Sequence, residues 1–199
     1  MADETTLLNA ALSKIGASVI TGIDDGTVNA NHCKRIYPEL RDSLLRSHHW
    51  KFARKRVELV VDAAAPAFEF AYSYTLPSDC LKVIEYNGAN VSSDTTLLYG
   101  VQVIYNFQVE GNKLLTNDGT VKIVYIRRVT DPGQMDALFY QLLATWLAGE
   151  LASAITKDVN ISTKLLKQAT EILLPQAVAV SGQEGSVPVF VVDDLTWGR

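Results

Sequence analysis

The chain has little of the chemistry on which most enzymes and metalloproteins depend. It contains two cysteines and three histidines, and neither type is spaced as in metal or redox sites. No phosphate-cradling glycine loop, nucleophile elbow or dinucleotide-binding motif follows a predicted strand. The carboxylates include no pair whose placement the sequence determines. We therefore expect no catalytic residue, no metal and no cofactor, and Cys33 and Cys80 are interpreted as buried free thiols.

The chain also lacks a strong charge and a targeting signal. Its net charge of −4 argues against a dedicated nucleic-acid-binding protein, which normally has a basic excess on one face. The short basic run of Lys51, Arg54, Lys55 and Arg56 is typical of a solvated face, with contact to DNA or an acidic partner as the less favoured alternative. The N-terminus does not resemble a signal peptide, and we expect no apolar stretch long enough to span a bilayer. We expect a protein made in the cytoplasm and not in a membrane.

A change of pattern near residue 50 organises the rest of the chain. Apolar residues recur at helical spacing before it and alternate after it, which predicts a joint between a helix and a sheet. Trp50 and Phe52 lie at this joint. Large rings there are typically part of the core, where they link two layers, and stacking on a ligand is the less favoured alternative.

Helical spacing predicts four helices. Thr5 or Thr6 is the expected cap of the first, and Gly16 its end. The second is predicted at 29–48, with a kink or a break at a proline in position 38. Asp131 is expected to begin a long third helix with a broad apolar face, and the fourth is predicted at about 161–180, with Pro175 kinking or shortening it.

Alternation predicts strands between the second and third helices. The clearest has Phe68, Phe70, Tyr72, Tyr74 and Leu76 on one face, as the inner side of a sheet. Further strands are predicted at 81–86, 101–109, 113–116 and 120–129, with a polar loop at 87–96. The tight turns at 110–112 and 117–119 favour a meander.

The last residues differ in kind from the rest. A Gly and Ser spacer precedes the apolar sequence VPVFVV, an acidic pair, and a terminal tryptophan and arginine. Such a segment cannot fold on itself and is too apolar to remain solvated, so it predicts an arm that binds a partner. The expected contact residues of this arm are Val187, Val189, Phe190, Val191, Val192, Leu195, Trp197 and Arg199.

These patterns together predict an α+β fold. A bundle of about four helices is expected from residues 1–50 and 131–181, with an antiparallel β layer inserted at 51–130. The extended C-terminal arm is expected at 182–199.

Several segments, in order, resemble one known family. They include IGASVITGIDDG, LLR-x-x-x-W-x-F-A, LP-x-D-C-L, GNKLLTN, VYIRRVTDP and LATWLAGELASAIT, spread between about residues 7 and 173. In this order they are similar to the tail tubular protein A family, the head-to-tail adaptors of short-tailed phages. Members often have proline before the tryptophan, where this chain has His49, and that difference affects the helix end rather than the fold.

The resemblance implies a structural virion protein rather than an enzyme. It implies a dodecameric ring between the portal protein and the tail nozzle protein, with double-stranded DNA passing through the bore. An acidic chain suits such a conduit, because an acidic wall repels phosphate. A long apolar helix suits side-by-side packing of identical subunits, and the arm is expected to bind the portal.

Two alternatives come from other classes. A cell-wall-degrading or other hydrolytic tail component would need a carboxylate pair in a cleft, with the pKa of one carboxyl raised. A nucleic-acid-binding module would use the aromatic stripe at 68–74 as a stacking face for bases.

Overall fold

The computed structural model describes residues 3–91 and 107–184. Along the chain, two helices precede the strands and three follow them. The helices are α1 (Glu4–Lys14), α2 (Val28–Ser47), α3 (Ala137–Ile155), α4 (Val159–Lys167) and α5 (Leu174–Gln183). The strands are β1 (Arg54–Leu59), β2 (Tyr72–Thr75), β3 (Cys80–Tyr86), β4 (Ala89–Asn90), β5 (Phe107–Glu110), β6 (Lys113–Thr116) and β7 (Val121–Arg127). The α+β fold class is confirmed.

Two of the predicted helix starts are wrong by about one turn, because a nearby aspartate provides the cap. Helix α1 is capped by Asp3, whose carboxylate accepts the N–H of Thr6 at 2.7 Å. Asp131 caps only a short 3₁₀ turn, and the chain is extended again before Asp136. Asp136 then accepts the N–H of Leu138 at 2.8 Å and begins α3. The predicted end of the first helix at Gly16 is confirmed, because this glycine has a φ of 70° just beyond α1.

The two helical prolines have different consequences. Helix α2 continues through Pro38, so the predicted alternative of two abutting helices is wrong. Pro175 lies in the first turn of α5, and a π-helical segment, Gln168–Leu173, joins α5 to α4. Proline has no N–H to donate to the preceding turn, and a wider turn is a common way to accommodate that loss. The predicted fourth helix is therefore one run with an irregular middle.

Helix α3 lies at the centre of the helical body. It contacts α1, α2, α4 and α5, and ten of its 19 residues are buried. By length and composition alone it could cross a membrane, contrary to the expectation that no apolar stretch is long enough. Its burial among other helices accounts for that composition. Gly149 permits the close approach of α4, since a Cβ there would lie 2.8 Å from Cγ of Leu166.

The strands form two antiparallel sheets rather than a meander. One sheet has the order β1-β7-β3-β4, and the other has the order β2-β6-β5. Consecutive strands β6 and β7 therefore belong to different sheets, and the turn at 117–119 connects the sheets. An isolated bridge pairs Val61, two residues beyond the end of β1, with Tyr74 of β2, so the segment after β1 also reaches the second sheet.

Strand β7 separates two hydrophobic cores. Val124 and Ile126 belong to the core that the helices cover, whereas Ile123 and Tyr125 belong to the core shared with the second sheet. Because successive side chains point to opposite faces, one strand contributes to both cores. The order of layers is helices, four-stranded sheet and three-stranded sheet.

The predicted aromatic strand is mostly wrong. Only Tyr72–Thr75 is a strand, Tyr74 is 1% exposed, and Phe68 is 80% exposed. A tight turn in which the Phe70 N–H donates to the Phe68 carbonyl, with a φ of 71° at Glu69, breaks the alternation.

The other strands follow the predictions more closely. Lys113–Thr116 forms β6 as predicted, and β7 lies within the predicted strand at 120–129. Strand β5 covers the end of the predicted strand at 101–109 and extends to Glu110, and β4 lies inside the predicted loop at 87–96. The parts of both predictions at 92–106 lie outside the described residues.

Candidate functional site

The joint between α2 and β1 is built around Trp50. One 3₁₀ turn, Lys51–Ala53, connects it to β1. The Trp50 side chain is 1% exposed, and its Nε1–H donates to the carbonyl oxygen of Leu44 at 2.8 Å. This hydrogen bond satisfies the single polar group of the ring, so the indole is buried at little cost.

Other rings surround the tryptophan. Phe139 of α3 meets Trp50 edge-on, with ring centroids 4.9 Å apart, and Phe52 lies 5.0 Å from Phe139. His48 also contacts the indole edge-on, with ring centroids 5.0 Å apart. The cluster therefore joins α2, α3 and the start of the sheet, and leaves Trp50 no free face on which a ligand could stack.

A contact from the end of the last helix completes the joint. The N–H of Lys51 donates to Oγ of Ser181 at 3.1 Å, and Ser181 is buried. Sequence reasoning missed this contact, because a serine in a weakly polar helix carries no signal of a partner 130 positions away. The joint thus connects both helical parts of the chain to β1.

Three of the four cations in the basic run that follows Trp50 pair with carboxylates. Arg54 and Arg56 both lie near Glu85 of β3, at 3.3 Å and 3.7 Å, and Lys55 lies 3.2 Å from Asp79. Sequence reasoning did not single out Glu85, which is distant from the arginines in the chain. It comes within reach of them because β1 and β3 both pair with β7, one on each side. Exposed pairs such as that of Lys55 add little stability. The two carboxylates offset two of the four positive charges of the run.

These pairs border an open cleft on the four-stranded sheet. The cleft has a volume of about 470 Å³ and is lined by Arg56, Glu58, Glu85, Lys122 and neighbouring residues of β1, β3 and β7. Lys122 also lies 3.7 Å from Glu58. Cations and carboxylates alternate in the cleft, so it is not the uniformly basic surface that phosphate binding favours.

Asp79 ties two strands of this sheet together. Its carboxylate accepts hydrogen bonds from the Tyr125 hydroxyl at 2.9 Å and from Lys55 at 3.2 Å. Burial alone would raise the pKa of Asp79, but these two donors outweigh it and leave the pKa below its ordinary value. Asp79 is therefore ionised at neutral pH and acts as a structural acceptor.

The most strongly shifted carboxyl group is on the second sheet. Asp62 accepts hydrogen bonds from Lys113 at 2.9 Å, Thr75 at 2.7 Å and Ser73 at 2.9 Å. The bond from Lys113, followed by that from Thr75, lowers the pKa of Asp62 to about 2. These bonds hold the segment after β1 against β2 and β6.

Asp62 gives a testable pH dependence. Because its folded pKa lies below the ordinary 3.8, its contribution to stability is present above that value and is lost as the pH falls towards 2. We expect Asp62→Asn to lower the melting temperature at pH 7, and the difference from the natural chain to narrow between pH 4 and pH 2. Thermal melts across this range measure it, and a difference that stays constant down to pH 2 would contradict the assignment.

Cys33 is buried as predicted, whereas Cys80 is only half-buried, and burial disfavours the charged forms of both thiols and of the paired histidines. Burial raises the pKa of Cys33 and that of Cys80 to about 11. Burial, followed by the charge of Lys82, lowers the pKa of both His48 and His49. Within residues 3–91 and 107–184, no group of three or more His, Cys, Asp or Glu side chains could hold a metal ion.

The carboxyl groups do not show the pattern that a hydrolase would need. In the described part of the chain, each carboxyl pKa with a resolved shift is lowered, at Asp3, Asp25, Asp62 and Asp79. A general acid in a glycosidase needs a raised pKa.

The predicted arm lies outside the described residues. Its expected contact residues are Val187, Val189, Phe190, Val191, Val192, Leu195, Trp197 and Arg199.

No protein-family model matches the chain, and no curated protein matches its sequence.

Proposed function

We propose that this chain is a structural virion protein, a head-to-tail adaptor of a short-tailed phage or a related prophage. It assembles as a dodecameric ring between the portal protein and the tail nozzle protein, and double-stranded DNA passes through the ring. The apolar arm at 187–199 binds the portal. The proposal assigns no catalytic role and no cofactor to the chain.

The proposal rests on one observation, that hydrogen bonds join the sequence segments which resemble the family. Arg46 of LLR-x-x-x-W-x-F-A donates to the carbonyl oxygen of Leu81 in LP-x-D-C-L at 2.6 Å. Asp79 of LP-x-D-C-L accepts from Tyr125 of VYIRRVTDP at 2.9 Å. Segments far apart in the sequence thus build one junction of α2, β3 and β7, as expected if they specify a common architecture rather than matching by chance.

A further bond closes the same junction. Nε of Arg128, also in VYIRRVTDP, donates to Asp42 of α2 at 2.7 Å, and Asp42 also pairs with Arg41 at 2.8 Å. Charge-assisted bonds of this kind fix the orientation of the helices on the sheet. A rigid joint of this kind is what a subunit needs if it is to contact different partners at its helical and sheet ends.

One surface that was expected to form the contact between subunits is buried within the chain. The long apolar helix was expected to pack against a neighbouring subunit, but α3 is covered by helices of its own chain. The contact between subunits therefore uses other surfaces. The net charge of −4 and the pairing of the basic run remain consistent with a bore that does not bind DNA tightly.

The proposal is tested by mixing the purified chain with assembled portal rings from the same genome and measuring particle mass. We expect a discrete heavier complex that contains a full ring of the chain on each portal. Portal rings of an unrelated phage serve as the control and should gain no mass. A chain that remains monomeric beside its own portal would overturn the proposal, whereas a monomer in isolation is compatible with it.

A further inference from the structure

The connection between β1 and β2 presents an aromatic ring to solvent. Phe68 is 80% exposed, whereas Phe70 is half-buried. Glu69, between them, has a φ of 71°, which side chains other than glycine rarely adopt. Such a conformation persists only where the surrounding structure imposes it. The fold therefore holds Phe68 outward at some cost in free energy, although the exposed ring contributes little to the core.

Hydrogen bonds hold this connection at both of its ends. The N–H of Ala71 donates to Oδ1 of Asn117 at 2.8 Å. The N–H of Asp62 donates to the carbonyl oxygen of Ser73 at 2.8 Å. The position of Phe68 on the second sheet is thus largely set before any partner binds, so a partner does not have to order the connection.

A small cleft lies between this connection and the outer face of the second sheet. It has a volume of about 230 Å³ and is lined by residues 66–70 together with Glu110, Lys113 and Leu115. Lys113 and Leu115 alternate along β6 with the buried Leu114, so they face away from the core. Pockets for drug-sized ligands have volumes of roughly 300–1,000 Å³. This cleft therefore suits a single side chain rather than a cofactor.

The cleft has an excess of negative charge. Lys113 lies 2.9 Å from Asp62 and pairs with that carboxylate. Glu69 and Glu110 are both exposed. In residues 3–91 and 107–184 neither of these two carboxylates has an ion pair or a side-chain hydrogen bond. An apolar cleft is thus bordered by two carboxylates without a cation of their own.

We propose that this cleft binds an arginine side chain that an extended segment of a partner protein presents. The guanidinium group stacks on the ring of Phe68 and pairs with Glu69 and Glu110. An apolar residue next to the arginine covers the rest of the exposed ring. Guanidinium suits such a site better than the ammonium of lysine, because it is planar, more weakly hydrated and able to stack on rings.

Other occupants do not match both properties of the cleft. A wholly apolar segment would desolvate the two carboxylates without supplying a partner for them. An acidic segment would be repelled by the same carboxylates. A cation with an apolar neighbour satisfies the ring and the carboxylates together. The site lies on the second sheet and does not depend on the adaptor function.

The proposal is tested by NMR titration of the nitrogen-15-labelled full chain with the peptide acetyl-Leu-Arg-Leu-amide. The same peptide with citrulline, which has the shape of arginine without its charge, is the comparison. Exposed ion pairs and cation–π contacts are weak, so we expect a dissociation constant of about 1 mM. The amides at 66–70 and 110–115 should shift saturably, and the citrulline peptide should bind at least about three-fold more weakly. Equal binding of the two peptides, or no saturable shift at these residues, would overturn the proposal.

Substitutions assign the binding to this cleft. Glu69→Gln with Glu110→Gln should remove the preference for arginine over citrulline, and Phe68→Ala should weaken binding of both peptides by at least about three-fold. Glu150→Gln changes an exposed carboxylate on α3 and should keep the preference. The substituted side chains are exposed, so no melting temperature should fall by more than about 2 °C. If the double variant still prefers arginine, the cleft is not the site.

Discussion

Replacing Trp50 by alanine is expected to lower the free energy of unfolding by about 3–5 kcal/mol, as for other buried large side chains. The indole is 1% exposed and packs edge-on against Phe139, so its removal leaves a cavity where α2, α3 and the sheet meet. A domain of this kind has a total stability of roughly 5–15 kcal/mol, so this loss is a large fraction of the whole. Urea unfolding followed by circular dichroism measures the loss.

Trp50→Phe is the matched variant. It keeps most of the buried apolar surface and loses the hydrogen bond to the Leu44 carbonyl, which should cost about 1–2 kcal/mol. Ring assembly on the portal should weaken in proportion to the unfolded fraction, with no change in any chemistry. If Trp50→Ala left the urea midpoint unchanged, the joint would not be the organising contact that its geometry indicates.

Removing residues 185–199 is expected to abolish attachment to portal rings. Under the proposed function, this arm supplies the apolar anchors of the contact, and a few such anchors usually provide most of the binding energy. We expect an affinity at least about a hundred-fold lower, which corresponds to roughly 2.7 kcal/mol. Sedimentation of portal rings with the shortened chain measures it.

The design of this deletion follows from the structure. Helix α5 ends at Gln183, and Ser181 contacts Lys51, so the cut after Glu184 leaves the joint intact. An unchanged circular dichroism spectrum should confirm that the shortened chain is folded. Undiminished binding would remove the arm from the mechanism, and if the full chain did not bind either, the adaptor function itself would be wrong.

The helices could be predicted well because their signals are local. Spacing of apolar residues placed α2 within one residue at each end, and Gly16 marked the end of α1. The helix starts were less certain, because several polar residues close together can each act as a cap. Asp3 caps α1 and Asp136 caps α3, whereas the nearby Thr6 caps no helix and Asp131 caps only the short 3₁₀ turn.

The sheets were harder because pairing is not local. The residues of the tight turn after β6 do not reveal whether the next strand pairs with β6 or crosses to another sheet. The prediction of one long aromatic strand is wrong for a related reason, because Glu69 has a positive φ and ends the alternation. A pattern of period two predicts a face only while the backbone stays extended.

The sequence by itself determined the fold class, the helices and the joint at Trp50, because these depend on periodicity and on residue size. Only the tertiary structure decided that α3 is buried within its own chain and that Glu85 pairs with two arginines of the basic run. Both depend on contacts between residues far apart in the chain, which are set by how layers pack.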